Sequence, residues 1–241
     1  MPFYYYMDPT YILIVIGVVL SMLASARVKS TYQKYSRVRS RTGMTGREVA
    51  ERILRRNGVQ GVTVRRVAGN LTDHYDPRSQ TVNLSDAVYD SASVAAIGVA
   101  AHECGHVLQH ETGYVPLTIR GALVPVVNFG SQISWPLILL GFLMTDSLPD
   151  WGNILLHLGI IMFSAAVLFQ LVTLPVEFNA SGRALKILES DGILYGEDIK
   201  DTKKVLSAAA MTYVAGTISS VLQFIRILAI VSRKTGRGRD E

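Results

Sequence analysis

Apolar residues are gathered into four long runs, and the polar stretches between them have a different periodicity. Residues 11–26 are almost wholly apolar, with Phe3, Tyr4, Tyr5 and Tyr6 just ahead of them. Residues 121–144 and 153–174 form the second and third runs, parted by a short polar loop at 146–150. Residues 208–231 form the fourth, interrupted by Arg226. About 20 apolar residues suffice to cross a bilayer as a helix. The pattern therefore predicts transmembrane helices over 10–27, 121–144 and 153–174, and a transmembrane or membrane-associated helix over 207–232. Pro125, Asn128, Ser131, Gln132 and Pro136 in the second run predict a face turned toward protein rather than lipid.

Residues 42–115 read as a small α+β segment. Thr45-Gly46-Arg47-Glu48 is a capping-box pattern, opening a helix that closes near Asn57-Gly58. Val62, Val64 and Val67 predict one strand, and residues 80–85 predict a second after the turn Asp76-Pro77-Arg78-Ser79. The 80–85 strand is expected either to offer an edge to an extended peptide or to close an ordinary hairpin. A buried helix follows over 91–111, entered through small apolar residues. Pro175 suits a first helical turn, so residues 175–206 are expected to carry separate polar helices after the third run.

Composition agrees with this layout. The 241 residues are 49% hydrophobic, with a mean hydropathy of +0.27. Formal net charge is +5, and Arg27, Lys29, Lys34, Arg37, Arg39 and Arg41 all follow the first run. By the positive-inside rule the segment after that run is cytoplasmic. A fourth crossing would leave Arg233, Lys234, Arg237 and Arg239 outside, against the same rule. No basic residue precedes the first run, which therefore reads as an anchor rather than a cleaved signal. Basic residues interleaved with aromatics are missing, so nucleic acid is not an expected partner. Cys104 is the only cysteine, which excludes an intrachain disulfide.

The candidate chemistry lies in the 91–111 helix, as His102-Glu103-Cys104-Gly105-His106. Residues four apart share a helix face, so His102 and His106 can present two imidazoles to one metal ion. Glu103 beside them can take a proton from a water that zinc has acidified. Burying two histidines and a glutamate is costly unless something satisfies them. His110 is one turn further on, and without a glycine bend after His106 it is expected to lie off the metal. A catalytic zinc needs a third protein ligand, and Glu177, just after the third run, is expected to supply it. Tyr213, Tyr195 and Arg183 are candidates to stabilise an oxyanion.

Taken together, His102-Glu103-x-x-His106, a membrane hairpin and Glu177-x-x-Ala180-x-x-x-Ala184 resemble the membrane gluzincin metallopeptidases, including the HtpX heat-shock proteases and the CAAX-prenyl endopeptidases. Asp73-His74-Tyr75-Asp76-Pro77, Leu84-Ser85 and Ala100-Ala101-His102-Glu103 are most similar to the YugP-like neutral zinc metallopeptidases of bacteria. The resemblance implies zinc held by His102, His106 and Glu177, with Glu103 as general base. The larger family usually has an aspartate four residues after the ligand glutamate, where it orients the first histidine. Ser181 stands there instead, with Asn179 nearby as another possible partner.

The expected protein is thus mainly α, with about four transmembrane helices and a small α+β zincin-like cytoplasmic domain. Its expected activity is that of a multi-pass cell-membrane zinc endopeptidase, with one Zn2+ per chain, a protein or peptide substrate and the lipid bilayer as partners. The alternative is a non-catalytic zinc-containing membrane scaffold or quality-control adaptor.

Overall fold

A computed structural model describes residues 8–237; Phe3, Tyr4, Tyr5, Tyr6 and Arg239 lie outside them. The chain runs α1 (Tyr11–Tyr35), α2 (Gly46–Arg56), β1 (Thr63–Val67), β2 (His74–Asp76), β3 (Thr81–Ser85), α3 (Asp86–Tyr89), α4 (Val94–Glu111), α5 (Val115–Met144), α6 (Pro149–Ser190) and α7 (Glu197–Arg237). It divides into two compact units.

The first unit is helical and takes, among the described residues, 8–23, 119–173 and 213–237. The helices α1, α5, α6 and α7 that feed it are each long and apolar enough to cross a membrane. Inside this unit the helices meet through small residues. A Cβ at Gly141 would lie 2.7 Å from the Leu156 amide nitrogen, and one at Gly159 would lie 3.0 Å from the Ser134 carbonyl oxygen. The Ser219 hydroxyl donates to the Gly17 carbonyl at 2.9 Å. Close contact at small residues is how helices associate where burial from water supplies no drive. Val15, Met22, Phe129, Leu143 and Ile161 are exposed on the outer faces.

The second unit takes residues 24–118 and 174–212 and holds a three-stranded sheet in the order β1-β3-β2. β3 runs parallel to β1, with Thr63 opposite Thr81, and antiparallel to β2, with Asp76 opposite Thr81. It is the central strand and is buried along its whole length. The expected peptide-binding edge at 80–85 is therefore already hydrogen-bonded on both sides, and the sheet edges belong to β1 and β2. β2 escapes sequence reading because three residues, His74-Tyr75-Asp76, are too few to show an alternation.

The capping box forms as expected. The Glu48 amide donates to the Thr45 hydroxyl at 3.3 Å, and the Thr45 amide donates to the Glu48 carboxylate at 2.8 Å. α2 then lays Val49, Ala50 and Ile53 into a core that includes Ile97, Ala100, Cys104 and Val107 of α4. Each fully buried side chain of the size of Ile53 or Ile97 contributes about 1.5–3 kcal/mol of transfer free energy.

Two helices continue where sequence reading ends them. Pro175 lies inside the 42-residue α6 rather than at a new start. Proline removes one backbone donor and crowds the carbonyl four residues back, but packing of the flanking turns preserves the helix. α7 likewise joins the polar 197–207 stretch to the fourth apolar run.

α4 and α6 approach at Gly105. A Cβ there would lie 2.5 Å from the Ala180 carbonyl oxygen and 3.1 Å from the Ala180 Cα, both backbone atoms that no rotamer can move. Gly182, two residues further along α6, is the opposite case, because a Cβ there would meet nothing within 4 Å. The same substitution should therefore have opposite signs. Gly105→Ala is expected to destabilise by about 1–3 kcal/mol through overpacking. Gly182→Ala should stabilise by up to about 1 kcal/mol, since glycine is a poor helix former. Thermal unfolding of the detergent-solubilised chains checks both, and a Gly105→Ala midpoint equal to wild type would remove the close approach.

Candidate metal centre

α4 carries two of the three convergent donors. It starts at Ser93, whose hydroxyl accepts from the Ala96 amide at 3.2 Å, and stops at Thr112 before Gly113 with φ of 59°. His102 and His106 sit mid-helix, one turn apart, with ring centroids 4.7 Å apart and edge to face. Glu177 comes from α6, brought within reach by the Gly105 contact one turn away.

His102 Nε2 lies 3.3 Å and His106 Nε2 3.6 Å from Glu177 Oε2. The donor atoms of all three lie within 4.8 Å of one another. Donors about 2.0–2.1 Å from a tetrahedral zinc are themselves about 3.4 Å apart, a spacing that both nitrogen–oxygen distances approach. The Glu177 carboxyl is pushed up by burial, but hydrogen bonds from His102 and His106 outweigh this and hold it well below the usual carboxylate range. Burial pulls the His106 imidazole down, yet its hydrogen bond to Glu177 leaves it raised. Both shifts describe one tightly coupled cluster in which the carboxylate is ionised.

Gln109, one turn after His106, was not legible as a site residue. It is fully buried, which for an amide demands partners. Its Nε2 donates to the Val176 carbonyl at 2.7 Å and to Asn179 Oδ1 at 3.0 Å. A carbonyl can only accept, so the amide orientation follows, and Gln109 Oε1 must face His106 Nδ1, 3.0 Å away. The Nδ1 proton is thereby assigned, and Nε2, which faces Glu177, is the nitrogen that would bind a metal in place of the proton it shares with that carboxylate. The available sequence signal was a glutamine three residues from a ligand candidate, within a helix read as buried.

Ser181 takes the place of the aspartate expected from the resemblance, with its Oγ 3.1 Å from His102 Nδ1. A hydroxyl can donate or accept, so it supports either tautomer of His102 and orients the ring less strictly than a carboxylate would. Asn179 instead serves Gln109, and also accepts from Arg183 Nε at 2.8 Å.

Glu103 is 7% exposed, and its side chain makes no hydrogen bond or ion pair with another described residue. Cys104 faces α2, 3.7 Å from the Ala50 carbonyl, and burial pushes its thiol up, so it stays protonated and packs as a small apolar group. His110 is exposed, stands 3.5 Å from the Tyr75 hydroxyl and is outside the cluster. Of the oxyanion candidates, Arg183 is engaged by Asn179 and lies 5.9 Å from the Tyr114 ring, Tyr195 is exposed, and Tyr213 belongs to the helical unit.

Comparison with known proteins points to zinc peptidases. The model of a family described as "putative neutral zinc metallopeptidase" matches residues 10–232. A Bacillus subtilis (strain 168) protein named "putative membrane protease YugP" is 49% identical over 222 residues, covering 92% of this chain and 94% of that relative. No solved structure matches. The family implies zinc, and the His102, His106 and Glu177 cluster offers it a site. With the family model spanning nearly the whole chain and a close relative aligned over the same length, the chain belongs to the neutral zinc metallopeptidase family.

Proposed function

We propose that the chain is an integral membrane zinc endopeptidase of the gluzincin type, with His102, His106 and Glu177 as the ligands of one zinc ion and Glu103 as general base. The observation that carries this reading is the convergence of two Nε2 atoms on Glu177 Oε2, at 3.3 and 3.6 Å, beside a buried carboxylate without another described partner. Three protein ligands leave a coordination position open, which favours catalysis over a structural site with four.

Zinc supplies a Lewis acid that polarises a carbonyl and makes water acidic near neutrality. Gln109 keeps the His106 Nε2 lone pair on the ligand side, and Ser181 steadies His102. Glu103 takes a proton from the attacking water and returns it to the departing amine. A peptide or protein substrate is in keeping with the protease named as a relative.

Four apolar helices and a relative named as a membrane protease support multi-pass insertion in the cell membrane. The basic residues Arg27 to Arg41 after the first apolar run favour a cytoplasmic site.

Three measurements test this. Metal analysis of detergent-purified protein should give one zinc per wild-type chain and a sharp loss in Glu177→Ala; full retention in that variant removes the third ligand. Glu103→Gln should keep its zinc and cleave labelled casein about 10²–10⁴-fold more slowly. A zinc-loaded Glu103→Gln chain with wild-type cleavage excludes Glu103 as the base, and a zinc-loaded wild type with no cleavage turns the reading toward the scaffold. Gln109→Ala should weaken zinc about 10–100-fold in competition with a chelator, while Ser181→Asp should tighten it by giving His102 a charged acceptor. Unchanged affinity in Gln109→Ala removes its orienting role.

A further inference from the structure

A cavity of about 1060 Å³ lies in the sheet-bearing unit, bordered by residues 27–35 of α1, 178–185 of α6 and 200–211 of α7. Its apolar wall includes Tyr35, Phe178, Leu185, Leu206 and Met211. Its cations are Arg27, Lys34, Lys200, Lys203 and Lys204, and no acidic residue lines it. Lys200 and Lys204 are neutralised by Glu197 and Asp201, at 2.7 and 2.8 Å. Among the described residues Arg27, Lys34 and Lys203 have no carboxylate partner, and Lys34 instead stands 5.1 Å from the centre of the Tyr35 ring.

His102, Glu103, His106 and Glu177 do not line this cavity, which adjoins the candidate metal centre only through Ser181, the partner of His102. It is also kept open at a cost. Gly182 lies on its wall, mid-helix, with nothing within 4 Å of where a Cβ would be, although alanine there would favour the helix.

The occupant must combine negative charge with a substantial apolar body. Arg27 follows directly on the apolar run 11–26, and Ala208, Ala210 and Met211 open the apolar run 208–231. The cavity thus borders two helices where each changes between apolar and basic composition, the pattern found at the level of lipid headgroups. An acyl chain needs no hydrogen-bond partners, and the lining has no strand edge to hold a peptide backbone. We propose that this cavity binds one anionic phospholipid, its phosphate held by Arg27 and Lys203 and its acyl chain laid on Phe178, Leu185 and Met211. The inference rests on the membrane reading above and not on the zinc.

Native mass spectrometry of the full chain, released from a neutral detergent and titrated with dioleoyl phosphatidylglycerol or dioleoyl phosphatidylcholine, tests it. One phosphatidylglycerol should be retained per chain, about tenfold or more tighter than phosphatidylcholine. Each cation near a headgroup is worth about fivefold, so the double variant Arg27→Gln, Lys203→Gln should weaken phosphatidylglycerol about thirtyfold. Gly182→Leu should displace the lipid by filling the cavity while the chain keeps its thermal unfolding transition. Equal retention of the two lipids, or phosphatidylglycerol retained unchanged in both variants, overturns the site. Displacement by glycerol phosphate at the same concentration also overturns it, because the anion alone would then be recognised. A chain that floats with phosphatidylcholine vesicles yet shows no preference for phosphatidylglycerol removes only the lipid site; one that does not float removes the membrane reading with it.

Discussion

Backbone-to-backbone contact between α4 and α6 at Gly105 and Ala180 is the constraint on which the candidate metal centre depends. A glutamate side chain is short compared with the usual 8–10 Å separation of helix axes, and it has to meet two imidazoles on the facing helix. The missing side chain at Gly105 brings the helices close enough for Glu177 Oε2 to reach both Nε2 atoms. The same closeness gives Gln109 access to the Val176 carbonyl and thereby sets the His106 tautomer. The small, apolar character of α4 follows from this. Ala96, Ala100 and Ala101 let the helix be enclosed, and Cys104 fits against α2 as one more small group.

Much of this was legible in the sequence where a short-range rule was at work. A four-residue spacing puts His102 and His106 on one face of any helix, and the capping box at Thr45 and Glu48 acts within four residues. The long apolar runs also declare themselves, because length and composition suffice to recognise them. Glu177 was suggested by the need for a third ligand, by its place just after the third run and by the family resemblance, and the fold is what brings it near the histidines.

What was not legible depends on contacts distant in sequence. The partner of Gln109 is 67 residues away, so its local signal, a place on the buried helix near His106, does not show what it holds. β2 is three residues long and exists because β3 gives it a ladder, and β3 loses its free edge for the same reason. Pro175 looks like a helix start because local rules favour it there, but the turns on both sides are already helical and packed. Such outcomes are decided by tertiary context, which overrides local propensity by a few kcal/mol at most.

Two imidazole nitrogens and one carboxylate oxygen select for a class of ion, not for one element. The order of affinities of such donors among divalent first-row metals rises toward copper and then falls at zinc. With Cys104 held as a protonated thiol against α2, no soft thiolate biases this set further. Zinc selectivity at such a donor set would be a matter of cellular supply, and a chain passed over a nickel resin would be open to taking up the column's metal there.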